Sequence, residues 1–261
     1  MRSSAPSPLP RLLLFAIALV VLWRLTLGMP EVLSDRRAQR IAQGVLLSAG
    51  VVALVWGLLR YDRLPWRVAG WSAAAGSNLR AFAAGIALWL LPAAAGVALC
   101  LWLDWATLSP RPGATNPALL LPGIALAVLL SEALPEELGL RGYVQGLVGR
   151  HAPAWAALLA QLAVFVAFAW AVGALDSLQQ LMFVPGLGLI LGYARALSGR
   201  LWTCIGIHWA WMTATQWLLA AFDISGAQTL LFVAGVLLPS TTIGIVLGLQ
   251  RPDFDWRRRE R

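Results

Sequence analysis

The chain has 261 residues, of which 59% are hydrophobic and only 12% charged, and its mean hydropathy is +0.73. A soluble domain carries about twice that charged share, so the composition excludes one and indicates a polytopic membrane protein of a single domain's length. The net charge is +8, and all 20 basic residues are arginines, placed mostly between and beyond apolar runs. That placement suits anionic lipid head groups and topology control better than a nucleic-acid-binding face.

A spanning helix needs roughly 20 mostly apolar residues. Eight stretches come close, at about 11–29, 41–60, 80–103, 117–134, 153–174, 179–197, 201–222 and 227–249. They are long and continuous, whereas a membrane barrel shows alternating segments of about ten residues. The expected fold class is therefore all-α, with about eight transmembrane helices. The first run follows Arg2 and Arg11 as a signal peptide would, but no small-residue cleavage site follows it and Arg24 interrupts it. It reads as a retained first helix. The 61–79 connection holds Trp66 and Trp71 among arginines. It reads either as a segment lying in the interface or as a loop with aromatic anchors. Cys100 and Cys204 sit in apolar segments and read as reduced core residues. The fourth run continues through an acidic motif to Val148, with Pro135 as the expected break. Gly186, Gly188 and Gly192 on the sixth run suggest close helix packing. The fourteen tryptophans mostly fall near segment ends, as an aromatic belt would place them.

The charges set the expected topology. Arg2 and Arg11, Arg63 and Arg67, Arg150, Arg195 and Arg200, and the tail arginines from Arg251 to Arg261 share one side if eight segments alternate. Asp104, Asp176 and Asp223 fall on the other, with Arg111 and a mixed 30–40 connection. Positive-inside logic then puts both termini in the cytoplasm. The expected location is a cell membrane of the bacterial inner-membrane kind, with membrane lipids as partners and no nucleic acid.

Residues 136–141, Glu-Glu-Leu-Gly-Leu-Arg, place two carboxylates and a guanidinium inside an apolar stretch, with Glu132 one turn earlier. Ionisable groups at membrane depth are costly and usually face a bundle interior or a wet cavity. On a helix Glu137 and Arg141 are four apart and can pair, which offsets their desolvation. Glu136 lies on a face turned by about 100° and cannot easily share that guanidinium. A carboxylate left free in this way is poised to accept a proton from water and to return it to a leaving amine. The alternative is an ion-pair lattice that only pins helices. His208 lies inside the seventh run, about two turns from Arg200. It is either a hydrogen-bonded core residue or a group that meets Glu136 across the bundle and donates to a developing oxyanion. His151, beside Pro153 in a short connection, reads as solvated. No Gly-x-Ser-x-Gly elbow and no His-Glu-x-x-His pattern occurs, and a three-ligand zinc site is hard to build from one membrane histidine. No cofactor or metal is expected.

On these residues the chain resembles the CAAX-protease and bacteriocin-processing family of glutamate-dependent intramembrane proteases. Glu136, Glu137 and Arg141 match the family's Glu-Glu-x-x-x-Arg motif, and Gly142 and Tyr143 continue its extension. The run from Gly188 and Gly192 through Ser198-Gly199-Arg200-Leu201-Trp202 to His208 resembles the approach to its His-x-x-x-Asn motif. The resemblance covers roughly 117–212. It divides the chain into amino-terminal helices (1–110), a protease-like core (111–250) and a basic cytoplasmic tail (251–261). It implies an intramembrane endopeptidase in which Glu136 and a second histidine activate water, while His208 and an asparagine stabilise the oxyanion. Its implied substrates are membrane-bound or lipidated peptides.

Two positions depart from the pattern. The Phe-x-x-x-His motif is met by Phe165 but ends at Ala169, and Met212 stands at the asparagine position. Loss of one oxyanion donor costs about 3 kcal/mol in the barrier, and loss of an acid–base group about 10²–10⁴ in rate. Gln216, two turns after His208, is a candidate replacement donor. Three functions follow: a peptidase with a reduced pocket, a catalytically silent relative that scaffolds or binds peptides, and a small transporter relaying protons through Glu132 and Glu136. The absence of visible inverted repeats weighs against the third.

Overall fold

The structure is a computed structural model that describes residues 9–29, 33–112 and 116–259. Arg2 and Arg261 lie outside them. Eight long helices make up the described chain: α1 (Leu9–Leu27), α2 (Arg36–Tyr61), α3 (Ala75–Trp102), α4 (Pro117–Gly149), α5 (Ala154–Val172), α6 (Leu178–Ser198), α7 (Leu201–Ala221) and α8 (Ala227–Gln250). The eight apolar runs thus each become a helix, and the chain is an all-α polytopic membrane protein. Side chains cap the starts of α2, α4 and α6. Asp35 accepts from the Arg37 N–H at 2.8 Å, Asn116 from Ala118 at 3.0 Å and Ser177 from Gln180 at 3.2 Å, each satisfying one of the donors a helix start leaves open. Gly173 and Gly199 end α5 and α6 in the left-handed conformation, which glycine adopts without steric penalty.

Seven of these helices are long and apolar enough to cross a membrane. The exception is α7, whose tryptophans, threonines, His208 and Gln216 lower its hydropathy. Eleven of its 21 residues are buried, so protein rather than lipid surrounds much of it. It packs most extensively on α3 and also on α4 and α6. Gly85 and Gly206 permit this approach: a Cβ on either would overlap the facing backbone, at Thr203 and Phe82 respectively. Packing therefore runs across the division at residue 110. The tryptophans are more than a belt. Trp209 and Trp217 of α7 donate to the Ala125 and Pro117 carbonyls of α4 at 2.7 and 2.9 Å. Trp89 donates to the Gly235 carbonyl at 3.2 Å, an acceptor left open because Pro239, four residues on, has no N–H.

The expected break at Pro135 does not occur. α4 stays continuous and widens into π-helical turns at Leu129–Ala133 and Glu137–Val144, on either side of a short α segment that contains the proline. Widened turns of this kind accommodate a local mismatch and recur at functional sites. Side-chain support from α2 keeps the two halves aligned. Ser48 Oγ donates to the Leu130 carbonyl at 2.6 Å, and Gly44 abuts the same backbone.

A two-stranded antiparallel ribbon was not anticipated. β1 (Thr107–Pro110) pairs with β2 (Phe222–Ser225), Thr107 opposite Ser225. Four-residue strands are too short to leave a period-two signal. At this end Arg111 pairs with Asp223 at 3.1 Å. The other end gathers arginines: Arg11 pairs with Asp62 at 2.8 Å, and Arg63 and Arg150 line one groove with Arg11. The 61–79 connection does not simply lie flat there. Its short 3₁₀ turn, Trp66–Ala69, packs into the bundle with Ala69 fully buried. Gly142 and Gly146 of α4 make room for it, and Trp66, Trp71 and Trp202 contact in sequence. The tail also folds back. Ala154 donates to the Arg258 carbonyl at 3.0 Å, and Trp256 stacks on Tyr193. Cys100 and Cys204 are buried free thiols.

Candidate active site

The π-helical turns of α4 and the middle of α7 bring the acidic motif to His208. Glu137 Oε1 accepts from Arg141 Nη1 at 3.0 Å and contacts His208 Nδ1 at 2.8 Å. Glu137 and Arg141 are completely buried and His208 is 2% exposed. The pair with Arg141 is the one that the four-residue spacing suggested. The direct partner of His208, however, is Glu137 and not Glu136. Two polar groups on one carboxylate oxygen hold the carboxylate, the guanidinium and the imidazole as a single unit. With Nδ1 bound to a carboxylate, the ring's tautomer and orientation are set and Nε2 is left to act elsewhere. The Arg141 guanidinium also lies 4.6 Å from the ring centre of Phe165, a cation–π contact that favours the charge in a desolvated place. Phe165 is the residue that remains of the incomplete Phe-x-x-x-His pattern.

Glu136 is part-buried and has no hydrogen-bond or ion-pair partner among the described residues. It lies within electrostatic range of His208, Glu132, Glu137 and Arg141. It is about 20 Å along the helix axis from Arg150 at the end of α4, taking the rise per residue, so the cluster lies well inside the bundle. Glu137 Oε2 and Arg141 Nε and Nη2 have no protein partner. Buried groups of this kind are ordinarily satisfied by ordered water.

Glu132 is placed differently. It is ion-paired with Arg40 of α2 and accepts from Gln216 Nε2 at 3.1 and 3.2 Å, while Gln216 Oε1 accepts from Arg40 at 2.9 Å. This closed triangle commits Gln216 to Glu132 and away from the role of replacement donor. Arg40 was not singled out in the sequence, because its partners are 92 and 176 residues away. Gln145 and Gln161 were also missed. Both are fully buried, and they donate to the Gly192 and Gly188 carbonyls at 2.8 and 2.9 Å. Glycines at these positions let α6 approach closely, since a Cβ on Gly188 would meet Leu162 and Phe165 at 2.7 Å; Gly186 has open space. Ala169 is 3% exposed and Met212 part-buried. Among the described residues no group of three or more His, Cys, Asp or Glu side chains is placed to hold a metal ion.

Residues 118–214 match the family model described as Rce1-like, type II CAAX prenyl endopeptidase. The matched stretch, from α4 to the middle of α7, is thus similar to the CAAX-protease family. It holds Glu132, Glu136, Glu137, Arg141 and His208, whereas Arg40 and Gln216 lie outside it. No curated protein and no solved structure gave a significant match to the chain.

Proposed function

We propose that the protein is an intramembrane endopeptidase that hydrolyses peptide bonds of membrane-associated or lipidated substrates by glutamate-activated water. The observation that carries this reading is the contrast between the two neighbouring acids. Glu137 is engaged through Oε1 by both Arg141 and His208, and Glu136 is left without a partner among the described residues beside them. In the proposed reaction Glu136 takes a proton from water as the oxygen attacks the scissile carbonyl. It then passes that proton to the leaving amine. His208, oriented by Glu137, donates from Nε2 to the oxyanion. Glu137 and Arg141 position the histidine and do not touch the reacting atoms. The arginine-rich end faces the cytoplasm, in keeping with positive-inside placement.

A catalytically silent relative is the second reading, and Ala169 and Met212 favour it, since they remove a water-activating partner and an oxyanion donor. Restoring the donor separates the two. In proteoliposomes carrying tethered peptides, Met212→Asn is expected to raise the wild-type cleavage rate about 10²–10³-fold, the usual effect of one oxyanion-hole donor. If neither wild type nor Met212→Asn cleaves any member of a varied peptide set, the silent reading stands. The relay reading has less support, because Glu132 is tied to Arg40 and Gln216.

A further inference from the structure

At the arginine-rich end a pocket of about 300 Å³ is lined by Arg67, Arg150, Arg195 and Arg251, and no carboxylate lines it. The geometry points to a binding site for the phosphate of an anionic phospholipid head group, with an acyl chain led away along the neighbouring groove between α3 and α8.

The four arginines come from four separate elements: the Trp66–Ala69 turn, the end of α4, the last turn of α6 and the end of α8. Arg195 is built into the wall. It is 3% exposed, its Nη2 donates to the Val68 carbonyl at 3.0 Å, and its Nε is buried without a partner. It packs against Gly70, whose φ is +75° and on which a Cβ would come within 2.9 Å of the guanidinium, leaving no room for a side chain. Arg67, Arg150 and Arg251 make no ion pair among the described residues, unlike Arg11, Arg40 and Arg141.

Neutralising helix ends is the simpler explanation for such a cluster, and its magnitude is too small. Three helices finish at this pocket, each carrying about −0.5 of a charge at its carboxyl end, or about −1.5 together. Four guanidinium groups leave an excess of about +2.5 after that subtraction. A phosphate group supplies negative charge and the planar oxygen geometry that guanidinium groups bind in pairs.

The surroundings favour a lipid over free phosphate. Leu197 and Arg251 also line the adjoining groove of about 820 Å³. Its wall is apolar at Ala84, Leu88, Leu91 and Val246, and Arg80 and Arg200 also line it. A cationic cradle that opens onto an apolar trough matches a phosphodiester above an acyl chain, and a free anion would leave the trough unused.

The test uses the full chain in detergent, with native mass spectrometry and thermal melting. Phosphatidylglycerol is expected to bind and to raise the melting temperature, while phosphatidylcholine and inorganic phosphate leave it unchanged. The double variant Arg67→Gln/Arg251→Gln is expected to bind phosphatidylglycerol about 30-fold more weakly, taking the usual attraction per basic residue, and to melt unchanged without lipid. The charge-matched variant Arg63→Gln/Arg257→Gln, outside the pocket, is expected to bind like wild type. Equal binding of the two phospholipids, equal weakening by the two double variants, or stabilisation by inorganic phosphate equal to that by phosphatidylglycerol would overturn the assignment. None of these readouts depends on peptidase activity.

Discussion

Glu136→Gln is expected to lower the single-turnover rate of peptide cleavage by about 10²–10⁴, the contribution of a positioned acid–base group, with insertion and melting temperature unchanged. The second half of that expectation follows from the site. Glu136 has no hydrogen bond or ion pair to lose among the described residues, so the neutral isostere removes the base without leaving a buried partner stranded. A purely structural role predicts the reverse pattern, with stability altered and any cleavage intact. Equal rates for wild type and variant, on a peptide that wild type cleaves, would remove Glu136 from the mechanism.

Arg141→Ala is expected to destabilise the protein by about 3–5 kcal/mol, the usual cost of stranding one member of a buried ion pair. In melting temperature this is on the order of 10 °C for a chain of this size. The arginine and Glu137 are both 0% exposed and 3.0 Å apart. Without the guanidinium the carboxylate keeps only His208 at 2.8 Å. Removing both charges relieves the stranding, so Arg141→Met/Glu137→Leu is expected to recover most of the loss, as apolar replacement of buried pairs often does. The double variant also frees His208, and its cleavage rate should fall even as its melting temperature recovers. A melting temperature that is unchanged in Arg141→Ala would mean that the pair contributes nothing to holding α4 against α7.

The helices were legible in the sequence because lipid imposes long uninterrupted apolar runs, and each of the eight runs is a helix in the structure. The four-residue spacing of Glu137 and Arg141 was equally legible, since a local pair depends only on helix geometry. Contacts between distant elements were not. Arg40 meets Glu132 and Gln216 only because α2, α4 and α7 adjoin, and nothing local to residue 40 records it. Which of two adjacent acids faces His208 depends on the rotation of α4 against α7. That rotation is set by the π-helical turns flanking Pro135, which an α-helical reading of the sequence does not contain. The tryptophans misled in part for the same reason. An aromatic belt explains residues at span ends, but Trp89, Trp209 and Trp217 donate to backbone carbonyls on neighbouring helices. Their roles depend on carbonyls that packing brings within reach.

In the proposed mechanism the oxygen of a water molecule deprotonated by Glu136 attacks the peptide carbonyl. Single-turnover cleavage in ¹⁸O-enriched water tests this directly. One labelled oxygen is predicted in the new carboxylate of the product, with none in the Glu136 side chain. Label absent from the first-turnover product and later found in Glu136 would show attack by the carboxylate itself and would contradict the mechanism.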